Sequence, residues 1–199
     1  MMPKVLVVTG GIGAGKSELS RMLAAKGIPV YISDDMTKFL YDRDEVLRAS
    51  LRELLGDSVF CGDKLDRRAM AEIIFSDDAK LKAVEQLVHP AVYRDFAAWK
   101  AERAEYPLVA FESAIVLERG MPEGFADYVL YVDAPKRERF FRALHRDRGS
   151  GPEIICRMQC QGAGPDHPDV DFVIDNSGSF EDLERALDAV LAKIEPGKV

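Results

Sequence analysis

An α/β fold built on a parallel sheet, with helices on both faces, is what the sequence predicts. Short β-branched apolar runs alternate with segments of helical spacing, the pattern of a sheet covered by its own crossovers. The first run, residues 4–8 (Lys-Val-Leu-Val-Val), shows no polar alternation, as a strand buried on both faces requires. Size and make-up agree: 199 residues suit one domain, and 47% hydrophobic with 31% charged residues exclude a disordered chain.

Taken in order, the strand at 4–8 runs into Thr9-Gly10-Gly11-Ile12-Gly13-Ala14-Gly15-Lys16-Ser17. A helical pattern follows, with Leu19, Met22 and Leu23 on one side and Gly27 placed to end it. Residues 28–32 form the next strand, closed by the acidic pair Asp34-Asp35. From residue 37 to about 105 no strand is expected. Segments 45–55, 67–75 and 79–88 carry helical spacing, and Asp78 is placed to cap the third. Strands resume at 108–111 and 128–132, and a fifth lies at 172–174 after a loop-prone stretch at 162–168. An amphipathic helix is expected over 181–194, then a frayed tail at 195–199.

Several function classes fall away. No run approaches ~18 apolar residues, so no membrane span is expected. The start lacks a long apolar core followed by a small-residue cleavage site, so secretion is not expected. Three cysteines, Cys61, Cys156 and Cys160, build no disulfide framework and suit a reducing cytoplasm. No His or Cys pair completes a zinc site with Cys156 and Cys160, and neither His145 nor His167 has a partner pattern. A net charge of −7 argues against general nucleic-acid binding.

Gly10-x-x-x-x-Gly15-Lys16-Ser17 satisfies the phosphate-loop pattern and lies between strand and helix, as that motif demands. Glycines let the backbone turn its N–H groups inward around an anion, and the next helix adds its positive end. Residues 11–17 (Gly11, Ile12, Gly13, Ala14, Gly15, Lys16 and Ser17) are therefore the expected ATP cradle. Lys16 reaches the β- and γ-phosphates, and Ser17 is the expected Mg²⁺ ligand. Gly13, a fourth glycine, fits a tight kinase-type loop.

A GTPase would need a guanine-reading N/TKxD element, and none is present. Asp175-Asn176-Ser177-Gly178 matches D-x-x-G too far along the chain for a switch, so it reads as a strand end. An ATPase motor would be larger and carry an apolar run ahead of a Walker-B acid. A small-molecule kinase with a helical acceptor-binding insertion fits better. The basic segment 136–148 supports it, with six basic residues against two acidic, a local +4 that leaves −11 elsewhere. Arg139, Arg142 and Arg146 recur at helical spacing and can share one face over a nucleotide. Arginines in such positions contribute ~10³–10⁵ in rate.

Together these residues resemble the dephospho-CoA kinase family, over essentially the whole chain. Its anchors here are the run Thr9 to Ser17, Gly27-Ile28-Pro29-Val30, Asp34, Leu65-Asp66-Arg67, His89-Pro90 and Glu118. Arg146-Asp147, Arg157-Met158-x-x-Gln161 and Asp171-Phe172-Val173-Ile174-Asp175-Asn176 complete them. The resemblance implies a five-stranded P-loop kinase core at about 1–36, 105–140 and 168–199. It also implies an acceptor region at about 37–104 and an arginine-bearing lid at about 141–165. ATP with Mg²⁺ would phosphorylate the ribose 3′-hydroxyl of dephospho-CoA in the cytoplasm, giving coenzyme A and ADP. By resemblance Asp34, the second acid of the family's D-x-D, faces the acceptor hydroxyl, with Ile32 in place of the first acid and Asp35 one step on. Arg142 and Arg146 are implied near the ATP phosphates, Asn176 at the adenine, and His89 and Glu118 on the acceptor side. Gly151 and Pro152 stand where the family carries a further lid arginine, with Arg148 the nearest replacement. Trp99 and Phe96 read as packing. The expected partners are ATP and dephospho-CoA, with no nucleic acid or membrane, for a monomer or small homo-oligomer. Two rivals stay open: a kinase of a nucleoside monophosphate or metabolite alcohol, and a non-catalytic nucleotide-binding regulator.

Overall fold

The structure, a computed structural model, describes residues 2–147 and 150–194. Arg148 and the tail 195–199 therefore lie outside the described residues. Strands are β1 (Lys4–Thr9), β2 (Val30–Ile32), β3 (Phe60–Cys61), β4 (Lys64–Leu65), β5 (Leu108–Glu112), β6 (Tyr128–Asp133) and β7 (Phe172–Asp175). Helices are α1 (Lys16–Ala25), α2 (Ser33–Arg43), α3 (Glu45–Leu55), α4 (Arg67–Ser76), α5 (Asp78–Ala101), α6 (Val116–Arg119), α7 (Lys136–Asp147), α8 (Gly151–Gln159) and α9 (Phe180–Ile194). No described helix is long and apolar enough to cross a membrane.

Five strands form the expected parallel sheet, in the order β2-β5-β1-β6-β7. β1 is central, with Lys4 beside Leu108 on β5 and Leu6 beside Tyr128 on β6. Its uniform apolar run follows from that place: Val5, Leu6, Val7 and Val8 are all at most 1% exposed. Leu6 and Val8 share one face with Leu130, Val132 and Ile174, packed by Leu19 and Leu23 of α1 and Leu187 of α9. Elsewhere on the sheet Phe111 stacks on Tyr31 at 5.5 Å and meets Phe125 edge-on at 5.0 Å. Gly27 ends α1 as expected: at φ +81° it lets Ile28 N–H reach back to the Leu23 carbonyl.

The chain divides into two compact units, Met1–Tyr31 with Ala104–Val199, and Ile32–Arg103. The second is helical, with a core that includes Leu47, Leu51, Met70, Val88 and Phe96. Three aspartates start its helices: Asp44 accepts from Leu47 N–H, Asp66 from Arg68 and Ala69, and Asp77 from Ala79 and Lys80. The cap of α5 is thus Asp77, one residue ahead of the expected Asp78. The helix also runs past 88 to Ala101 with Pro90 inside it, because Ala91, Val92 and Phe96 continue the buried stripe. A second correction is the β3–β4 hairpin, where no strand was expected. Each strand has two residues, too few to show alternation, and Gly62 turns between them at φ +63°. Trp99 stacks on Phe96 at 5.8 Å, with the Arg103 guanidinium 4.0 Å from its ring.

Candidate active site

The first unit builds a phosphate loop. β1 ends at Thr9, the chain wraps through Gly10 to Gly15, and α1 starts at Lys16. Gly13 and Gly15 take left-handed φ values of +75° and +107°. A side chain at Gly13 would strike the Arg139 carbonyl, and one at Gly15 the Asn176 amide, so the wrap requires both glycines. Lys16 is 9% exposed, and its Nζ donates to the carbonyls of Gly10 at 2.8 Å and Gly11 at 3.1 Å.

Ser17 is exposed at the start of α1, and its Oγ lies 3.4 Å from Glu112 Oε1. Ser20, one turn on and 3% exposed, donates to Glu112 Oε2 at 2.6 Å. Glu112 is 7% exposed at the end of β5, next to β1 in the sheet. Sequence reasoning missed it although the signal was present. Leu108 to Phe111 followed by Glu112 is the apolar run ahead of an acid that was looked for only in larger motors.

Basic residues of α7 part company. Arg139, expected with Arg142 and Arg146 on one face over a nucleotide, is 9% exposed and lies on the loop, its Nε donating to the Ile12 carbonyl at 3.1 Å. Arg142 is half-buried; its Nη2 meets Glu138 at 3.1 Å and the Asn176 carbonyl at 3.0 Å, while Nη1 is buried with no hydrogen-bond partner. Arg146 is exposed on the last turn. Asn176 donates from Nδ2 to the Ala14 carbonyl at 2.7 Å and from its N–H to Asp133 at 2.7 Å, so it binds loop, sheet and α7 together.

Glu118 on α6 is half-buried and accepts from Ala163 N–H at 3.4 Å. The Ala163 carbonyl accepts from Tyr131 Oη at 3.2 Å. Burial pushes the Tyr131 phenol up, opposed by the nearby Arg139 charge, so the hydroxyl stays a donor at neutral pH.

Asp34 and His89 belong to the second unit. Asp34 is exposed in the first turn of α2, beside Asp35, which pairs with Lys38 at 2.8 Å. The helix begins at Ser33 with no side-chain cap, so Asp34 does not cap it. His89 is half-buried within α5, ahead of Pro90. The first unit thus gathers Gly11 to Ser17, Arg139, Arg142 and Asn176, and adds Glu112.

The family model for dephospho-CoA kinase matches residues 4–182. A dephospho-CoA kinase of Thermus thermophilus is 38% identical over 196 residues, covering 98% of this chain and 94% of the relative. One from Bacteroides fragilis is 34% identical over 184 residues, covering 92% and 89%. A solved Thermus thermophilus structure superimposes with a TM-score of 0.81 at 37% identity, covering 98% of this chain and 100% of that one.

Proposed function

Because the chain belongs to the dephospho-CoA kinase family, we propose that it transfers the γ-phosphoryl group of ATP to the ribose 3′-hydroxyl of dephospho-CoA, yielding coenzyme A and ADP. The observation that carries the reading is the glycine-built loop closed around the buried Lys16, in a chain matched along nearly its whole length. In the reaction the hydroxyl oxygen bonds to the γ-phosphorus as the bond to the β–γ bridging oxygen breaks. The hydroxyl proton leaves and ADP departs.

Catalysis here is positioning and charge stabilisation. ATP draws Lys16 from the Gly10 and Gly11 carbonyls. A charged hydrogen bond contributes ~1.5–3 kcal/mol net, whereas one unit charge at 4 Å contributes about 4 kcal/mol at an effective dielectric of ~20. ATP carries several such charges, so the exchange favours the nucleotide. Backbone N–H groups of residues 11–17 and the start of α1 cradle the phosphates. Arg142 and Arg146 stabilise the charge spread over the transferring group, and Asn176 borders the adenine. Asp34 orients the acceptor hydroxyl and takes its proton, while His89 and Glu118 serve the acceptor side.

Kinases of this fold generally need a divalent metal. Ser17 and Glu112 offer hard oxygen donors on adjoining elements, a set that fits Mg²⁺, which combines one or two carboxylates with substrate phosphates. When bound, the ion neutralises phosphate oxygens. The protein works in the cytoplasm in this reading.

An ADP-release assay over a panel of hydroxyl acceptors tests it. ADP release should rise with dephospho-CoA and not with nucleoside monophosphates or sugar acids. Stimulation by those alone makes it a kinase of another acceptor, and ATP binding without turnover makes it a regulator.

A further inference from the structure

Ile12 is the one bulky residue among the glycines of the phosphate loop, and side chains from distant sequence grip it on every side. Its N–H donates to Gln161 Oε1 at 2.6 Å. Its carbonyl accepts from Arg139 Nε at 3.1 Å. Its side chain, 5% exposed, is buried with Ala143 of α7 and Ile154 of α8. The other end of the Gln161 amide is engaged too, because Nε2 donates to the Ala114 carbonyl at 3.3 Å, in the segment leaving β5. Two residues on, Ala163 is pinned by Glu118 and Tyr131. A flexible loop is thus clamped by groups that are themselves fixed.

We propose that Gln161 is a positioning residue for ATP, holding the Ile12 peptide so that the phosphate loop keeps its anion-binding shape before nucleotide arrives. Glycine-rich backbone loses more freedom on ordering than any other, and ordering done in advance raises affinity for whatever binds next. Arg139 holds the same peptide from its carbonyl side, but it also adds charge beside the phosphates. Gln161 adds none, so its effect reads as pre-organisation alone. It acts through Ile12 and needs no contact with the nucleotide. The inference rests on the nucleotide reading of the loop and is independent of the acceptor.

The full chain carrying Gln161→Leu, which removes both hydrogen bonds at similar size, provides the test. Calorimetric titration with ATP should give a dissociation constant about tenfold higher than wild type, equivalent to ~1.4 kcal/mol. The kcat at saturating ATP should stay within about twofold, the KM for dephospho-CoA should not move, and the thermal midpoint should hold within a few degrees. Hydrogen exchange at the Ile12 amide should quicken. Gln161→Glu keeps an acceptor for that amide and should preserve its protection. Wild-type ATP affinity in Gln161→Leu, or an Ile12 amide still protected there, overturns the proposal. So does a fall in thermal midpoint with equal losses toward both substrates, the mark of a merely structural residue. A wild-type chain that binds no ATP overturns the nucleotide reading and this inference together.

Discussion

Glu112 is a carboxylate out of water at the end of a strand, a costly place for a charge without hydrogen bonds or a cation. Ser17 and Ser20 supply the hydrogen bonds, and Ser17 is also the loop hydroxyl proposed above as a metal ligand. Glu112→Gln keeps the shape and removes the charge. Affinity for Mn²⁺ in the presence of ATP, followed by the paramagnetic signal of the free ion, should drop roughly tenfold. ATP binding in chelator should be unaffected; unchanged Mn²⁺ affinity refutes the metal role. Asp34→Asn should lower kcat by ~10²–10⁴ with little change in ATP affinity, and equal losses in both refute an acceptor-side role. Of the site, Lys16 and Ser17 were legible because eight residues at fixed spacing encode them. Arg139 was legible only as one of three arginines at helical spacing, among six basic residues in the thirteen of 136–148. Only the packing of α7 decides which guanidinium meets the loop.

Helix starts carry the sharpest local chemistry among the elements. Ser150 caps α8 in a reciprocal box, its Oγ accepting from Glu153 N–H at 3.5 Å while the Glu153 carboxylate accepts from Ser150 N–H at 3.0 Å. That bond to the Ser150 backbone holds the Glu153 carboxyl below the usual carboxylate range. Ser179 does the same to Asp182 at α9. Because both folded values are lowered, their stabilisation is complete above the ordinary range and is lost as pH falls through the lowered values. Amide protection in the first turns of α8 and α9 should therefore decline on acidification. Glu153→Gln should flatten the decline in α8 alone, and an unaltered profile there refutes the box as its source. The strands of the main sheet were legible to within a few residues as apolar runs without alternation, the mark of a sheet covered on both faces, and helices such as α3, α4 and α9 by their 3.6-residue period. The β3–β4 hairpin and the long run of α5 were not. One is shorter than any period, and in the other the buried stripe overrides the proline that local rules read as a stop.

At the scale of the whole molecule, a ligand that binds only the folded chain raises stability by mass action. MgATP at ~100 times its dissociation constant should add about 2.7 kcal/mol. For ~200 residues, with ~2–4 °C per kcal/mol, that is a rise of roughly 5–11 °C in the midpoint of the unit holding the phosphate loop. Scanning calorimetry with and without MgATP measures it; no shift refutes nucleotide binding. The fold class was legible because five apolar runs with helical segments between them admit few topologies. The order of the strands is a matter of tertiary packing.

That order has a consequence for the chain as it leaves the ribosome. β1 is made before the other strands of its sheet, yet both of its neighbours come late: Lys4 waits for Leu108 and Leu6 for Tyr128. At ~5–20 residues per second the wait lasts roughly 5–25 s. Through that interval the most apolar segment of the protein is a nascent strand with neither edge covered. Its need for shelter during synthesis is greatest before any phosphate-binding shape exists.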